Sequence, residues 1–148
     1  MPLFNGRIDF LLKNIPKILS PEFLKILCEM GHGDEIVIAD GNFPAASIAQ
    51  RLIRLDGHDV PEVLSAILEL FPLDTYAQPI FLMEKVHGDA VKTPIWETYK
   101  EIVETHTNEK FEHIERFAFY ERARSAYAVI ATGENALYAN IILKKGVV

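Results

Sequence analysis

Met30-Gly31-His32-Gly33-Asp34-Glu35-Ile36-Val37-Ile38-Ala39-Asp40-Gly41-Asn42-Phe43-Pro44 is the stretch on which the fold turns. Its centre, Glu35 to Ala39, is too short for a helix and rich in β-branched residues, so it reads as a buried strand. Gly31 sits where a left-handed cap would end a preceding helix. The two glycines around His32 leave room for a ligand to come close. Asp40 falls at the strand's carboxyl end, where open α/β sheets bind ligands. His32 and Asp40 are therefore read as an acid/base or ligand pair.

Upstream, Ser20-Pro21 is a helix start, with a serine cap and proline in the first turn. Phe23, Ile26, Leu27 and Met30 then repeat along one helical face. Further upstream, Phe10-Leu11-Leu12 is read as the start of a short helix or as an arm. Downstream, Asn42-Phe43-Pro44 is a loop, because the residue before proline is pushed out of the helical region. Leu52 to Leu55 is a second strand. Asp59 caps a helix whose stripe runs from Val60 to Phe71, with Glu62 completing a capping box. Pro79 opens a third strand, Ile80 to Met83, and His87-Gly88-Asp89-Ala90 is a turn.

Thr93-Pro94 begins another helix with Ile95, Trp96, Tyr99, Ile102 and Val103 on one face. Glu104 to Glu112 reads as a loop, and Phe119 to Tyr127 as a helix. Val129 to Ala131 and Ala139 to Leu143 read as a closing hairpin around Thr132 to Asn135. Helices and strands alternate, which predicts an α/β fold: one three-layer α/β/α domain over residues 1–148 with a mixed β-sheet. Residues 1–15 are an N-terminal extension or arm.

Composition narrows the partners. A formal net charge of −6 gives no basic field for nucleic acid or an anionic membrane, so neither is expected as a partner. Cys28 is the single cysteine, which rules out an intrachain disulfide and a cysteine-rich zinc site. The five histidines are scattered, with none at helical ligand spacing to another, and no metal site is expected. Glycine-rich phosphate loops and the serine-nucleophile elbow are missing. No signal-peptide cleavage site is evident, so the cytoplasm is the expected location.

Three local features bear on chemistry. Tyr138 and Asn140, two apart, would project from one face of a strand and suit a polyol ligand as well as an exposed sheet face. Arg116 and Tyr120 share a helix face if the helix starts that early; spacing alone favours a surface role. Asp74, on local grounds, is a turn or capping residue.

The blocks GHGDEIVIADGNFPA from Gly31, LDTY at 73–76, RFAFYERA at 116–123 and YANIILKKG at 138–146 resemble the fucose branch of the fucose mutarotase/D-ribose pyranase family. The resemblance spans Pro16 to Gly146. It implies a cofactor-free enzyme that opens and recloses a reducing sugar by general acid–base catalysis, with L-fucose as the monosaccharide. It also implies His32 as proton donor to the ring oxygen and Asp74 as a second acidic residue, taken here as the complementary base or as giving way to a water. Asp40, Arg116, Tyr120, Tyr138 and Asn140 match sugar-contacting positions, and Met83 matches an apolar wall. A homo-oligomer, a ring of ten or smaller with sites near subunit contacts, is implied as well. The alternatives are pyranose/furanose interconversion of D-ribose, or a non-catalytic sugar-binding module linked to monosaccharide uptake.

Overall fold

The computed structural model describes residues 8–148. The part of the expected N-terminal arm before residue 8 lies outside them. Phe10–Leu12 (β1) and Ile15–Pro16 (β2) form a small antiparallel pair, so the arm is extended where a short helix was one expectation. The remaining elements are Pro21–Glu29 (α1), Glu35–Ala39 (β3), Ala45–Ile48 (α2), Leu52–Leu55 (β4), Val60–Leu68 (α3) and Ile80–Met83 (β5). Ile95–Val103 (α4), Glu112–Ile114 (β6), Arg116–Ser125 (α5), Ala128–Thr132 (β7) and Ile141–Lys144 (β8) follow.

Six strands make one sheet in the order β4-β7-β3-β8-β5-β6. β8 pairs antiparallel with both β3 and β5, and the other pairs are parallel. The mixed sheet matches the expectation, but the closing hairpin does not. β7 and β8 never pair; β3 lies between them, because Ile36–Ala39 pairs β7 on one side and Glu35–Ile38 pairs β8 on the other.

Both faces of the sheet are covered, which is why its strands are apolar almost throughout. Ile36, Ile38, Ile130 and Ile141 face α1, α3 and α4, joined by Phe23, Val63, Ile67 and the fully buried Tyr99. Val37, Val129, Phe81 and Ile142 face α2 and α5, joined by Ile48, Phe119 and Ala123. Each large side chain so buried contributes about 1.5–3 kcal/mol. This sandwich is the three-layer α/β/α architecture.

Local chemistry sets the helix ends. Ser20 Oγ accepts the Phe23 N–H at 3.2 Å and Asp59 accepts the Glu62 N–H at 2.9 Å, as serine and aspartate caps should. Glu62 does not close the expected capping box; its carboxylate takes His58 Nδ1 at 2.9 Å. Pro94 itself, not Thr93, is the cap of α4. Glu115 caps α5, accepting N–H groups from Phe117 and Ala118, and these hold its carboxyl below the usual range. That cap starts the helix at Arg116, early enough to place Arg116 and Tyr120 one turn apart.

Gly133 closes the turn after β7, its N–H on His58 O at 2.9 Å. A Cβ there would lie 2.0 Å from Asp56 O, a backbone atom that cannot swing aside. Gly133→Ala is expected to lower the unfolding free energy by about 3 kcal/mol, by forcing β4 and β7 apart at their ends. Urea unfolding measures it; a change under about 1 kcal/mol would mean the turn yields freely.

Candidate active site

The two ends of β3 carry different chemistry. At its amino end a tight turn holds His32. Asp34 N–H donates to Gly31 O at 3.1 Å, and Gly31 N–H donates to Asp34 Oδ2 at 2.7 Å. Gly33 has φ 89°, a conformation that glycine adopts at little cost. The left-handed residue is thus Gly33, not Gly31, and α1 ends on an extended Met30. The turn leaves the His32 side chain 44% exposed, its Nε2 3.0 Å from Asp74 Oδ1.

Asp74 is only 3% exposed. Its carboxyl lies below the ordinary carboxylate range, first because Tyr76 N–H donates to it and then because of His32. These bonds favour its anionic form. The end of β8 and the residues after it clamp the pair together: Asp74 N–H donates to Lys144 O, Gly33 N–H to Lys145 O, and Gly146 N–H to Pro72 O. A Cβ on Gly146 would stand 2.6 Å from Leu73 O, so glycine is what lets the strands meet here.

At the carboxyl end lies a cleft of about 230 Å³, lined by Asp40, Met83, Arg116, Tyr120, Tyr138 and Asn140 among others. Six of the eight residues singled out from sequence meet there. His32 and Asp74 do not. Five strand residues, at about 3.3 Å each, put roughly 17 Å between the ends of β3. The reading of His32 and Asp40 as one local pair is therefore corrected for a single copy of the chain. Asp74, expected as the complementary base unless a water serves, lies at the same end of β3 as His32, bonded to its ring.

Asp40 is 5% exposed, and burial pushes its carboxyl up against the opposing pull of the Asn42 N–H, donated at 3.0 Å. Asp40 N–H donates to Asn140 Oδ1 at 2.7 Å, locking the end of β3 to the approach of β8. Tyr138 and Asn140 reach the cleft by a route the strand argument did not foresee. Both precede β8, and Tyr138 has φ 56°, so alternation along a strand does not apply. Trp96 Nε1 donates to Tyr138 O at 2.8 Å and Tyr99 OH to Ala139 O at 2.6 Å, so α4 holds the segment from behind.

Arg116 stacks its guanidinium 4.6 Å over the Phe117 ring, and its Nε is buried without a hydrogen-bond partner. An orphan donor of this kind is costly unless a ligand oxygen satisfies it. Tyr120 packs edge-on against Phe43 at 5.6 Å. Asn42, Phe43, Val86, Asp89 and Leu137 also line the cleft and were missed as site residues. Only Asp89 had a usable signal, a glycine-aspartate turn just past the carboxyl end of a strand. Polar groups converging on an apolar wall in a small space suit a monosaccharide. A larger cleft of about 520 Å³, between Lys100–Glu104 and the segment 107–113, has no comparable buried carboxylate or orphan donor among the described residues. Among those residues no three metal-ligating side chains converge, and no helix is long and apolar enough to cross a membrane.

The model of the RbsD / FucU transport protein family matches residues 13–148. The chain belongs to that family. It is 50% identical over 145 residues to the fucose mutarotase of Danio rerio, covering 93% of this chain and 95% of that one. The crystal structure of fucose mutarotase in complex with L-fucose from Streptococcus pneumoniae superposes with a TM-score of 0.88 at 54% identity, covering 93% of this chain and 99% of that one. Bacillus subtilis RbsD complexed with D-ribose, at 24% identity and a TM-score of 0.67 over 88% of this chain and 95% of that one, shares the fold. Both solved structures thus share this chain's fold.

Proposed function

We propose that this chain is an isomerase interconverting the α and β anomers of L-fucose by opening and reclosing the pyranose ring. The observation that carries the reading is the unpartnered, buried Arg116 Nε beside the Asp40–Asn140 lock, in a chain 54% identical to a fucose mutarotase over 93% of its length. Asp40, Arg116, Tyr120, Tyr138 and Asn140 hold the sugar hydroxyls, and Met83 is the apolar wall.

The reaction needs a proton delivered to the ring oxygen while the anomeric hydroxyl loses one. The C1–O5 bond breaks as the C1 carbonyl forms, the aldehyde rotates, and closure reverses each transfer. Histidine is suited to such work near neutral pH. His32 is the proton donor to the ring oxygen; the anomeric proton leaves through water. With Nε2 on Asp74, Nδ1 is the ring nitrogen left for the sugar. Asp74, bonded to Nε2, fixes the orientation of the imidazole, so it is a positioning residue.

His32 and the cleft act together only if they belong to different copies. A contact between the His32 end of one sheet and the cleft end of the next joins unlike surfaces, and such head-to-tail contacts form rings where the rotation closes. The assembly is taken to be a closed homo-oligomeric ring, of the ten copies or fewer that the family resemblance implies. The cytoplasm is its setting, in keeping with an unpaired Cys28. Saturation-transfer NMR of anomer exchange over L-fucose, D-ribose and other monosaccharides tests the function. Catalysed exchange of L-fucose is expected. Sugar binding without exchange would make the chain a binding module, and exchange confined to D-ribose would move the substrate.

A further inference from the structure

Tyr138 makes a side-chain bond that holding a sugar does not by itself require. Its phenol donates to Asp89 Oδ2 at 2.6 Å and accepts the Val86 N–H at 3.1 Å. Asp89 is itself fixed: its Oδ1 accepts the Val91 N–H at 2.9 Å, and its own N–H closes a turn on Val86 O at 2.9 Å. Gly88, inside that turn, has φ 84°. Val86, Asp89 and Tyr138 all line the cleft. From the other side, Trp96 holds the Tyr138 carbonyl and so sets where the ring starts.

A phenol has one proton and two lone pairs. Here the proton goes to Asp89 and one lone pair to Val86, so a single lone pair remains for the cleft. Bound this way, Tyr138 can accept a hydrogen bond from a sugar and cannot donate one. We propose that Asp89 is a positioning residue of the sugar site: it takes the Tyr138 phenolic proton, fixes the phenol as an acceptor for one donating sugar hydroxyl, and latches the segment Val86–Asp89 beside it. The inference rests on the sugar-isomerase reading of the cleft and adds a residue which that reading does not need.

The test is a double-mutant cycle in the full chain, with L-fucose affinity followed by NMR titration. Asp89→Ala and Tyr138→Phe are each expected to weaken binding roughly tenfold, the scale of a lost hydrogen bond to a charged or sugar-held group. The double variant is expected to weaken it no further, because Asp89 acts through Tyr138. The loss should fall on the half-saturating sugar concentration more than on the saturated exchange rate. Losses that multiply in the double variant overturn the proposal. So does a lower melting temperature in Asp89→Ala with sugar affinity intact, since that marks a purely structural turn.

A second readout needs no sugar. With ring-labelled tyrosine, the Tyr138 phenol is expected to titrate at lower pH in Asp89→Ala than in the native chain, because the carboxylate holds its proton. Equal titration overturns the latch. A native chain that binds no L-fucose overturns the sugar-isomerase reading, while the titration still decides whether Asp89 controls the phenol.

Discussion

In His32→Gln, anomer exchange of L-fucose falls by roughly 10²–10⁴-fold, the usual contribution of a positioned acid–base group, while the sugar still binds. The separation follows from geometry. Within one copy the cleft residues sit at one end of β3 and His32 at the other, so glutamine in the turn leaves that copy's Asp40, Arg116 and Asn140 in place. Glutamine can bond to Asp74 but cannot carry a proton to the ring oxygen. Asp74→Asn should cost less, roughly tenfold to a hundredfold, as expected when a catalytic group is misaligned and not removed. Saturation-transfer NMR reads both rates, and a titration reads binding. Native exchange in His32→Gln would remove the histidine from the mechanism altogether.

Mixing two inactive variants is expected to restore activity. His32→Gln keeps a complete cleft, and Asp40→Asn keeps a complete His32–Asp74 pair. If each site joins the cleft of one copy to the histidine of the next, random co-assembly regenerates roughly a quarter of the sites in native form. Unfolding and refolding the variants together should therefore give about that fraction of native exchange, against the residual rate of either alone. No recovery after verified co-assembly would mean that each copy works by itself or that the contact is made elsewhere. The Asp40→Asn chain is a sound partner. The buried Asp40 carboxyl has a raised folded-state pKa, so the folded state holds its proton more tightly than the unfolded state. Ionisation therefore opposes folding, increasingly as pH rises from the unfolded value through the folded one. An uncharged asparagine, still able to accept the Asn42 N–H, should be at least as stable at neutral pH.

Much of the fold was legible because it is written locally. The stripe through Val60, Val63, Leu64 and Ile67 and the apolar run Glu35–Ala39 declare a helix and a strand from neighbouring residues alone. What the sequence hid was long-range. Glu112-His113-Ile114 has no strand signature and becomes β6 only because β5 offers it a parallel edge. The hairpin reading failed because β3, about a hundred residues earlier, separates β7 from β8. His32 and Asp40 looked like a pair since they are eight residues apart, yet a strand carries neighbours in sequence to opposite edges. Tyr138 and Asn140 were singled out by a strand rule that does not hold at a left-handed residue. The family resemblance located the cleft residues; it did not reveal Asp89, whose place depends on a turn folding back onto Tyr138.

The position of β8 also fixes when the molecule can come together. It is the last of the strands to leave the ribosome, and it fills the middle of the sheet. Without Ile141–Lys144 neither the β3 edge nor the β5 edge has its strand partner, and the sheet is open in the middle. Its pairing closes the sheet, ties Asn140 to Asp40 at one rim and draws His32 and Asp74 together at the other. Both halves of the chemistry thus depend on one strand, so a change that unseats β8 disturbs both rims together.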